Sequence, residues 1–237
     1  MKPKVAVVIP AHDEEARIAS VLRAVVKARL VDEVIVVDDG SSDHTADTAG
    51  DFKGVRVVRF DRNLGKAGAM QAGVGATEAE IIAFIDADLV NLQPEHVDLI
   101  VRPLLLDQCD MCIGVFRGGK FWSDTAQRIT PLISGQRAIR REMIFAFPFF
   151  SECRMGAEVL LNMAAKRAKA RVLRVILRGV SNSFKEQKFG LVKGTAARYQ
   201  MYKEITQAMV RYKTNGKLTR KPLRKRKRRK PRSGRWE

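Results

Sequence analysis

Residues Ile81–Leu89 read IIAFIDADL. Five apolar residues run directly into Asp86 and Asp88. A short, continuous apolar run is the pattern of a strand covered on both faces. Two carboxylates do not belong inside such a strand, because an unpaired buried charge is costly. They belong at its carboxyl end, where open α/β sheets bind ligands. The reading therefore sets a central strand over Ile81–Ile85 and a ligand site just beyond it.

The same arrangement recurs on either side of this stretch. Lys4–Ile9 (KVAVVI), Glu33–Val37 (EVIVV) and Val55–Phe60 (VRVVRF) are strand patterns. They lead into PAHDEE (Pro10–Glu15), DDGSS (Asp38–Ser42) and a segment with Asp61, Asn63, Gly65 and Lys66. Between them, Ile18, Leu22, Val25 and Val26 recur at helical spacing, and Lys66–Ala76 is a small-residue helix. Asp13 is expected to cap the first helix, and Ser41, Ser42 or Asp43 the second. Strand–helix alternation of this kind predicts an α/β fold with a mainly parallel sheet flanked by helices. Pro94 starts a further helix and Pro103 limits it. Met111–Phe116 and Arg171–Leu177 read as strands. Ser123–Ile133, Gly156–Ala170 and Gly194–Tyr212 read as helices.

Acids at all four strand ends repel one another unless a cation sits among them. Asp-x-Asp supplies hard oxygen ligands, which suit Mg²⁺ or Mn²⁺ held jointly with substrate phosphates. Lys66, in a glycine turn, is placed to touch the same phosphates. The pattern points to a metal that bridges the chain to a nucleotide diphosphate. Neither G-x-G-x-x-G after the first strand nor G-x-x-x-x-G-K-[ST] is present, which disfavours a dinucleotide fold and a P-loop. Gly73 and Gly75 are read as allowing close helix packing. Cys109 and Cys112 have C-x-x-C spacing, but DMCIGVF reads as a strand, so the pair is taken as structural.

Net charge is +18, and residues 211–237 hold 14 Lys/Arg against Glu237, leaving +5 for the rest. RKRKRRK (Arg224–Lys230) has nothing to pack. The expected organisation is one folded domain over 1–212, with 213–237 a disordered basic tail whose partner is polyanionic. The longest apolar run, Met143–Phe150 (MIFAFPFF), has eight residues, against the roughly 20 of a membrane span. It either packs in the core or rests on a membrane surface beside the cations before it. No signal peptide is expected. The expected location is the cytoplasm, or the inner face of the membrane for a chain held there by its tail.

VVIPAHDEEARI, VIVVDDGSSDHT, NLGKAGAMQAG and IIAFIDADL, in that order, resemble the signatures of family 2 glycosyltransferases with the GT-A fold. The resemblance implies a GT-A, nucleotide-diphospho-sugar transferase fold. Its donor half would be 1–118 and its acceptor half 119–212. It also implies a nucleotide-sugar donor and a divalent metal. Carried onto this chain, Pro10, Ala11, Asp13, Glu14, Asp38 and Asp39 would hold base and ribose. Gly65 and Lys66 would line the nucleotide, and Asp86, Ala87 and Asp88 the metal and diphosphate. PLISGQRAIRRE (Pro131–Glu142) resembles the acceptor segment of polyprenyl-phosphate sugar transferases and glucosyl-3-phosphoglycerate synthases. That makes Ser134, Gly135, Arg137, Arg140 and Arg141 acceptor-side residues. RMGAEVLL (Arg154–Leu161) implies an acceptor-side role for Glu158, as catalytic base or orienting group. In the loop GVSNSFKEQKFGLVKG (Gly179–Gly194) the relatives often carry His where this chain has Asn182. The amide oxygen of Asn182 is then the candidate third metal ligand, and Lys185 and Lys188 would close over the phosphates.

These implications amount to hexose transfer from a UDP-, GDP- or TDP-linked sugar to an anionic or lipid-linked acceptor. Polyprenyl phosphate or a glycolipid is the first choice, and a small phosphorylated acid the second. An alcohol acceptor needs a general base, whereas a phosphate acceptor arrives ionised. A rival from another class is a nucleic-acid-binding protein on an inactive sheet domain. The tail favours it, and the missing RNP aromatics and zinc spacing count against it. The chain carries no signal of oligomeric state.

Overall fold

A computed structural model describes residues 2–117, 134–145 and 157–182. In chain order the elements are β1 (Val5–Ala11), α1 (Glu15–Val25), β2 (Glu33–Asp38), α2 (Thr45–Gly50), β3 (Val55–Arg59), α3 (Lys66–Gly75), β4 (Ile81–Phe84), β5 (Leu89–Val90), α4 (Pro94–Leu105), β6 (Met111–Arg117), β7 (Arg137–Arg140), α5 (Arg141–Phe145), α6 (Ala157–Arg167), β8 (Val172–Arg178) and β9 (Ser181–Asn182). The expected helices at Ser123–Ile133 and Gly194–Tyr212, most of MIFAFPFF, the tail, Lys185 and Lys188 lie outside the described residues.

Seven strands form one sheet in the order β3-β2-β1-β4-β7-β6-β8. The β-branched runs of β1, β2 and β4 sit at its centre because helices cover both faces. Along β1, Val5, Val7, Ile9 and Ala11 pack with α1 and α4 through Ile18, Leu22, Ile100 and Val101. Ala6 and Val8 face the other way, onto Met70 and Val74 of α3 and Leu160 and Leu161 of α6. This is the period-2 alternation of a strand buried on both sides. Gly73 makes the α3 contact possible, since a Cβ there would lie 2.3 Å from Val8 Cγ1. Gly75 faces open space and needs no such explanation.

β1, β2, β3 and β4 run parallel, with Ala11 opposite Asp38 and Asp38 opposite Arg59. Their carboxyl ends therefore share one edge. β7 is antiparallel to both of its neighbours, β4 and β6. Arg137, at its start, is opposite Phe84, two residues before Asp86, while Arg140 is opposite Ile81 at the far edge. A two-stranded ladder, β5 with β9, sets Leu89 opposite Asn182.

Two local expectations are corrected. Pro103 lies inside α4 rather than limiting it. The helix continues because Leu106 N–H still reaches the Arg102 carbonyl at 3.0 Å and Leu104 is buried. The acceptor segment Pro131–Glu142, for which no strand is expected, contains β7, and all four residues of that strand are buried.

Candidate active site

The loops after β1 and β2 are sewn together. Asp13 has a left-handed backbone, φ 53°, and accepts Ser42 N–H at 2.8 Å. It therefore does not cap α1, whose first turn is served from the next loop. Glu15 N–H donates to Asp43 at 3.1 Å and Glu14 N–H to Thr45 Oγ1 at 2.8 Å. Asp43 also accepts Thr45 N–H at 3.0 Å and so anchors the starts of both helices. Burial is the largest single influence on its carboxyl and raises it, but the Thr45 hydroxyl and these backbone donors together hold it below the usual carboxylate range. Pro10 and Ala11 end β1, and buried Glu14 pairs with Arg17 at 2.6 Å.

Adjacent Asp38 and Asp39 are both buried and are used differently. Asp38 Oδ1 takes the N–H and hydroxyl of Ser41. Its Oδ2 is buried and has no hydrogen bond among the described residues, with Arg59 Nε 3.4 Å away. Both oxygens of Asp39 hold backbone, accepting Leu64 N–H at 2.7 Å and Gly65 N–H at 2.9 Å. Asp39 thus fixes the entry to α3 and, through it, Lys66. Gly40, at φ 68°, is required here, because a Cβ would lie 2.6 Å from the Arg62 carbonyl carbon.

Beyond β4 lies the acidic centre. Lys66 Nζ bridges Asp86 Oδ1 and Glu158 Oε1, each at 2.6 Å. The surrounding protein pulls the ammonium pKa down, but Asp86 and Glu158 outweigh this and hold it well above the ordinary lysine value. Asp86 Oδ2 accepts Gln136 Nε2 at 2.7 Å. Gly135 lies directly against this carboxylate: a Cβ on it would be 2.4 Å from Oδ2. Ser134 is buried, and its hydroxyl reaches the Gly114 carbonyl at 2.5 Å. Asp88 and Ala87 are buried beside them.

Arg137 is fully buried and faces protein, not solvent. It donates to the Glu158 carbonyl at 3.0 Å, to Asn162 Oδ1 at 3.1 Å and to the Ser134 carbonyl. Burial lowers its pKa to about 10 despite the nearby carboxylates of Glu158 and Asp86. It therefore ties the start of β7 to α6 rather than presenting a charge to an acceptor. Arg140 and Arg141 are not brought to the site. Arg140 pairs with Asp107 at 2.6 Å and Arg141 with Glu78 at 3.2 Å, both at the opposite edge. Cys109 and Cys112 are buried free thiols, as a structural pair should be.

The ladder of β5 with β9 brings Asn182 alongside the Asp86–Asp88 segment. Among the described residues no cluster of three His, Cys, Asp or Glu is arranged to hold a metal. The donor set expected from the sequence is instead the two carboxylates of Asp86 and Asp88 and the amide oxygen of Asn182. That set fits a hard cation which completes its shell with phosphate and water. The Lys66 ammonium between Asp86 and Glu158 shows that the pocket accepts positive charge. Gln136 was missed in the sequence. The available signal was a lone amide, between a glycine and a short strand, in a segment already assigned to the site.

The sequence and the fold match known proteins. The family model described as glycosyl transferase family 2 matches residues 6–170. Glucosyl-3-phosphoglycerate synthase of Mycobacterium tuberculosis (strain CDC 1551 / Oshkosh) is 40% identical over 110 residues, covering 43% of this chain and 34% of that protein. Dodecaprenyl-phosphate galacturonate synthase of Rhizobium johnstonii is 32% identical over 120 residues, 47% of this chain and 35% of that protein. These matches span about a third of the length of the curated relatives. The crystal structure of the Mycobacterium tuberculosis synthase with Mn²⁺, UDP and glucosyl-3-phosphoglycerate superposes with a TM-score of 0.70 at 27% identity, covering 87% of this chain and 80% of that one.

Proposed function

The chain belongs to glycosyl transferase family 2, and we propose that it moves a hexose from a nucleotide-diphosphate sugar to a phosphate-bearing acceptor, first of all a polyprenyl phosphate. The observation that carries this reading is the bridge of Lys66 between Asp86 and Glu158 at the carboxyl edge of the sheet. It joins the segment expected to meet the donor to the helix expected to meet the acceptor. The names of both relatives contain a phosphorylated partner, which supports the acceptor class.

Asp86 and Asp88, with the amide oxygen of Asn182, would hold Mg²⁺ or Mn²⁺. When bound, the cation neutralises charge on the departing nucleoside diphosphate. The chain's own residues do the rest. Asp38, with its buried Oδ2, and the sewn Pro10–Glu14 loop receive base and ribose. The amino end of α3, fixed by Asp39, aims backbone N–H groups and Lys66 at the diphosphate. The bond from sugar C1 to the diphosphate oxygen breaks, and its electron pair leaves with the diphosphate. An acceptor phosphate oxygen, already ionised, forms the new bond to C1 without a general base. Glu158 then orients Lys66 and the acceptor. Residues 1–212 form the catalytic domain in this reading, and 213–237 rest on anionic lipid at the cytoplasmic membrane face. Among the described residues no helix is long and apolar enough to cross a membrane.

The test is sugar transfer from a panel of UDP-, GDP- and TDP-sugars with Mn²⁺, using polyprenyl phosphate and 3-phosphoglycerate as separate acceptors. Asp86→Ala and Asp88→Ala should each lower turnover by about 10²–10³-fold. Variants that match the wild type would sink the metal assignment. Transfer to 3-phosphoglycerate alone would move the acceptor to the second choice. Liposome flotation with and without residues 213–237 reads the tail's part, and equal binding would remove it.

A further inference from the structure

Resting on that reading, we infer that Gln136 is the positioning residue of Asp86. It fixes the carboxylate through Oδ2 so that Oδ1 is the oxygen presented to a cation. Lys66 and Gln136, which both donate to Asp86, differ in kind. The Lys66 side chain retains 34% of its surface exposed, whereas Gln136 is fully buried. One partner can yield to a ligand and the other cannot.

The surroundings fix Gln136 from three sides. Its carbonyl accepts Gly114 N–H at 2.8 Å, pinning the backbone to β6. Its Oε1 lies 3.1 Å from the Ser134 hydroxyl. With the amide reversed, a carbonyl oxygen would face the Asp86 carboxylate, so only the orientation with Nε2 on Oδ2 is satisfied. Arg137 holds the Ser134 carbonyl from the other end of the segment. Gly135 between them removes the one Cβ that would push the carboxylate away. Ser134, Gly135 and Gln136 together form a seat shaped to Asp86. The donor in it is neutral, so the seat adds no cation to the one Lys66 already places on Asp86. A lysine or arginine in the same seat would set a second cation on the carboxylate and oppose a metal there.

The experiment uses the full chain and Mn²⁺ as the probe. Gln136→Met keeps the volume and removes the donor. Ser134→Ala loosens the amide without removing it. Mn²⁺ binding is read from the electron paramagnetic resonance signal of the free ion, beside thermal melting in EDTA. Gln136→Met should weaken Mn²⁺ roughly 10- to 100-fold, as partners of metal ligands commonly do. Its KM for Mn²⁺ should rise by a similar factor, while kcat at saturating metal stays within a few-fold. Ser134→Ala should move the same way by a smaller factor. A folded Gln136→Met that binds Mn²⁺ like the wild type overturns the inference. If Gln136→Met does not fold, a folded Ser134→Ala with unchanged Mn²⁺ affinity does the same. A wild type that binds neither Mn²⁺ nor UDP overturns the functional reading and this inference together.

Discussion

Replacing Lys66 by Met removes the shared cation from two carboxylates that are largely buried. The Asp86 and Glu158 side chains retain 15% and 11% of their exposure, and both lie 2.6 Å from Nζ. Breaking a fully buried ion pair costs about 3–5 kcal/mol. Here the lysine side chain is 34% exposed, so water screens part of the interaction. The expected cost is about 2–3 kcal/mol after that discount. For a protein of this size it corresponds to a fall in Tm of about 5–10 °C. Met preserves the packing of the stem, so little of the loss should come from a cavity. The assay is calorimetry of the metal-free full chain in EDTA, repeated with Mn²⁺. In the wild type an arriving cation competes with Lys66 for Asp86. In Lys66→Met it does not, so Mn²⁺ should raise the Tm of the variant more than that of the wild type. A metal-free variant that melts within about 2 °C of the wild type would refute the reasoning, because a bridge of this energy gives at least twice that shift.

Glu158→Gln keeps an oxygen near Lys66 and removes a possible base. With a phosphate acceptor kcat should fall about tenfold with an unchanged pH profile, whereas a loss near 10²–10⁴ would reinstate a general base. Arg137→Lys keeps the charge but not the fork that reaches three acceptors, and should cost about 2–4 kcal/mol in urea unfolding; a cost below about 0.5 kcal/mol would remove its tying role. In a Cys153→Ser background, neither Cys109 nor Cys112 should react with a thiol reagent until denaturant is added. Both thiols are fully buried, which shuts the reagent out; their shared hydrogen bond holds Cys109 below and Cys112 far above the usual thiol range, so burial and not acidity protects Cys109. One fast-reacting thiol in the native protein would contradict this.

The part of the fold legible in the sequence was the part built from local pattern. Each β-branched run followed by an acid became a strand with its end at the site edge, because hydrophobic period and polar interruption both lie within a few residues. The adjacent pair Asp38 and Asp39 illustrates the limit. Both acids were assigned to the donor, but Asp39 spends both oxygens on the backbone of Leu64 and Gly65, some 25 residues away in sequence. The strand β7 was hidden for the same reason. Arg137 and Arg140 make RAIR look like a surface segment, yet apart from the nearby Ser134 carbonyl their guanidinium groups are matched by groups 21 to 33 residues distant. Nothing local announces those partners. Asn182 was found through resemblance, and its ladder with Leu89 is only two residues long, too short for any periodicity.

The reversed direction of β7 governs where this molecule tolerates length changes. From β1, β2 and β4 the chain departs at the ligand edge, so residues added after those strands, beyond the ones that build the site, leave the strands in register. At β7 the chain arrives there instead. An insertion immediately before Arg137 would slide Ser134, Gly135 and Gln136 past Asp86 in a single step. The same insertion after Arg140 would fall at the opposite edge, among Asp107, Asp110 and Glu78. Four residues thus separate a boundary at which one added residue disables the acidic centre from one at which it leaves that centre intact.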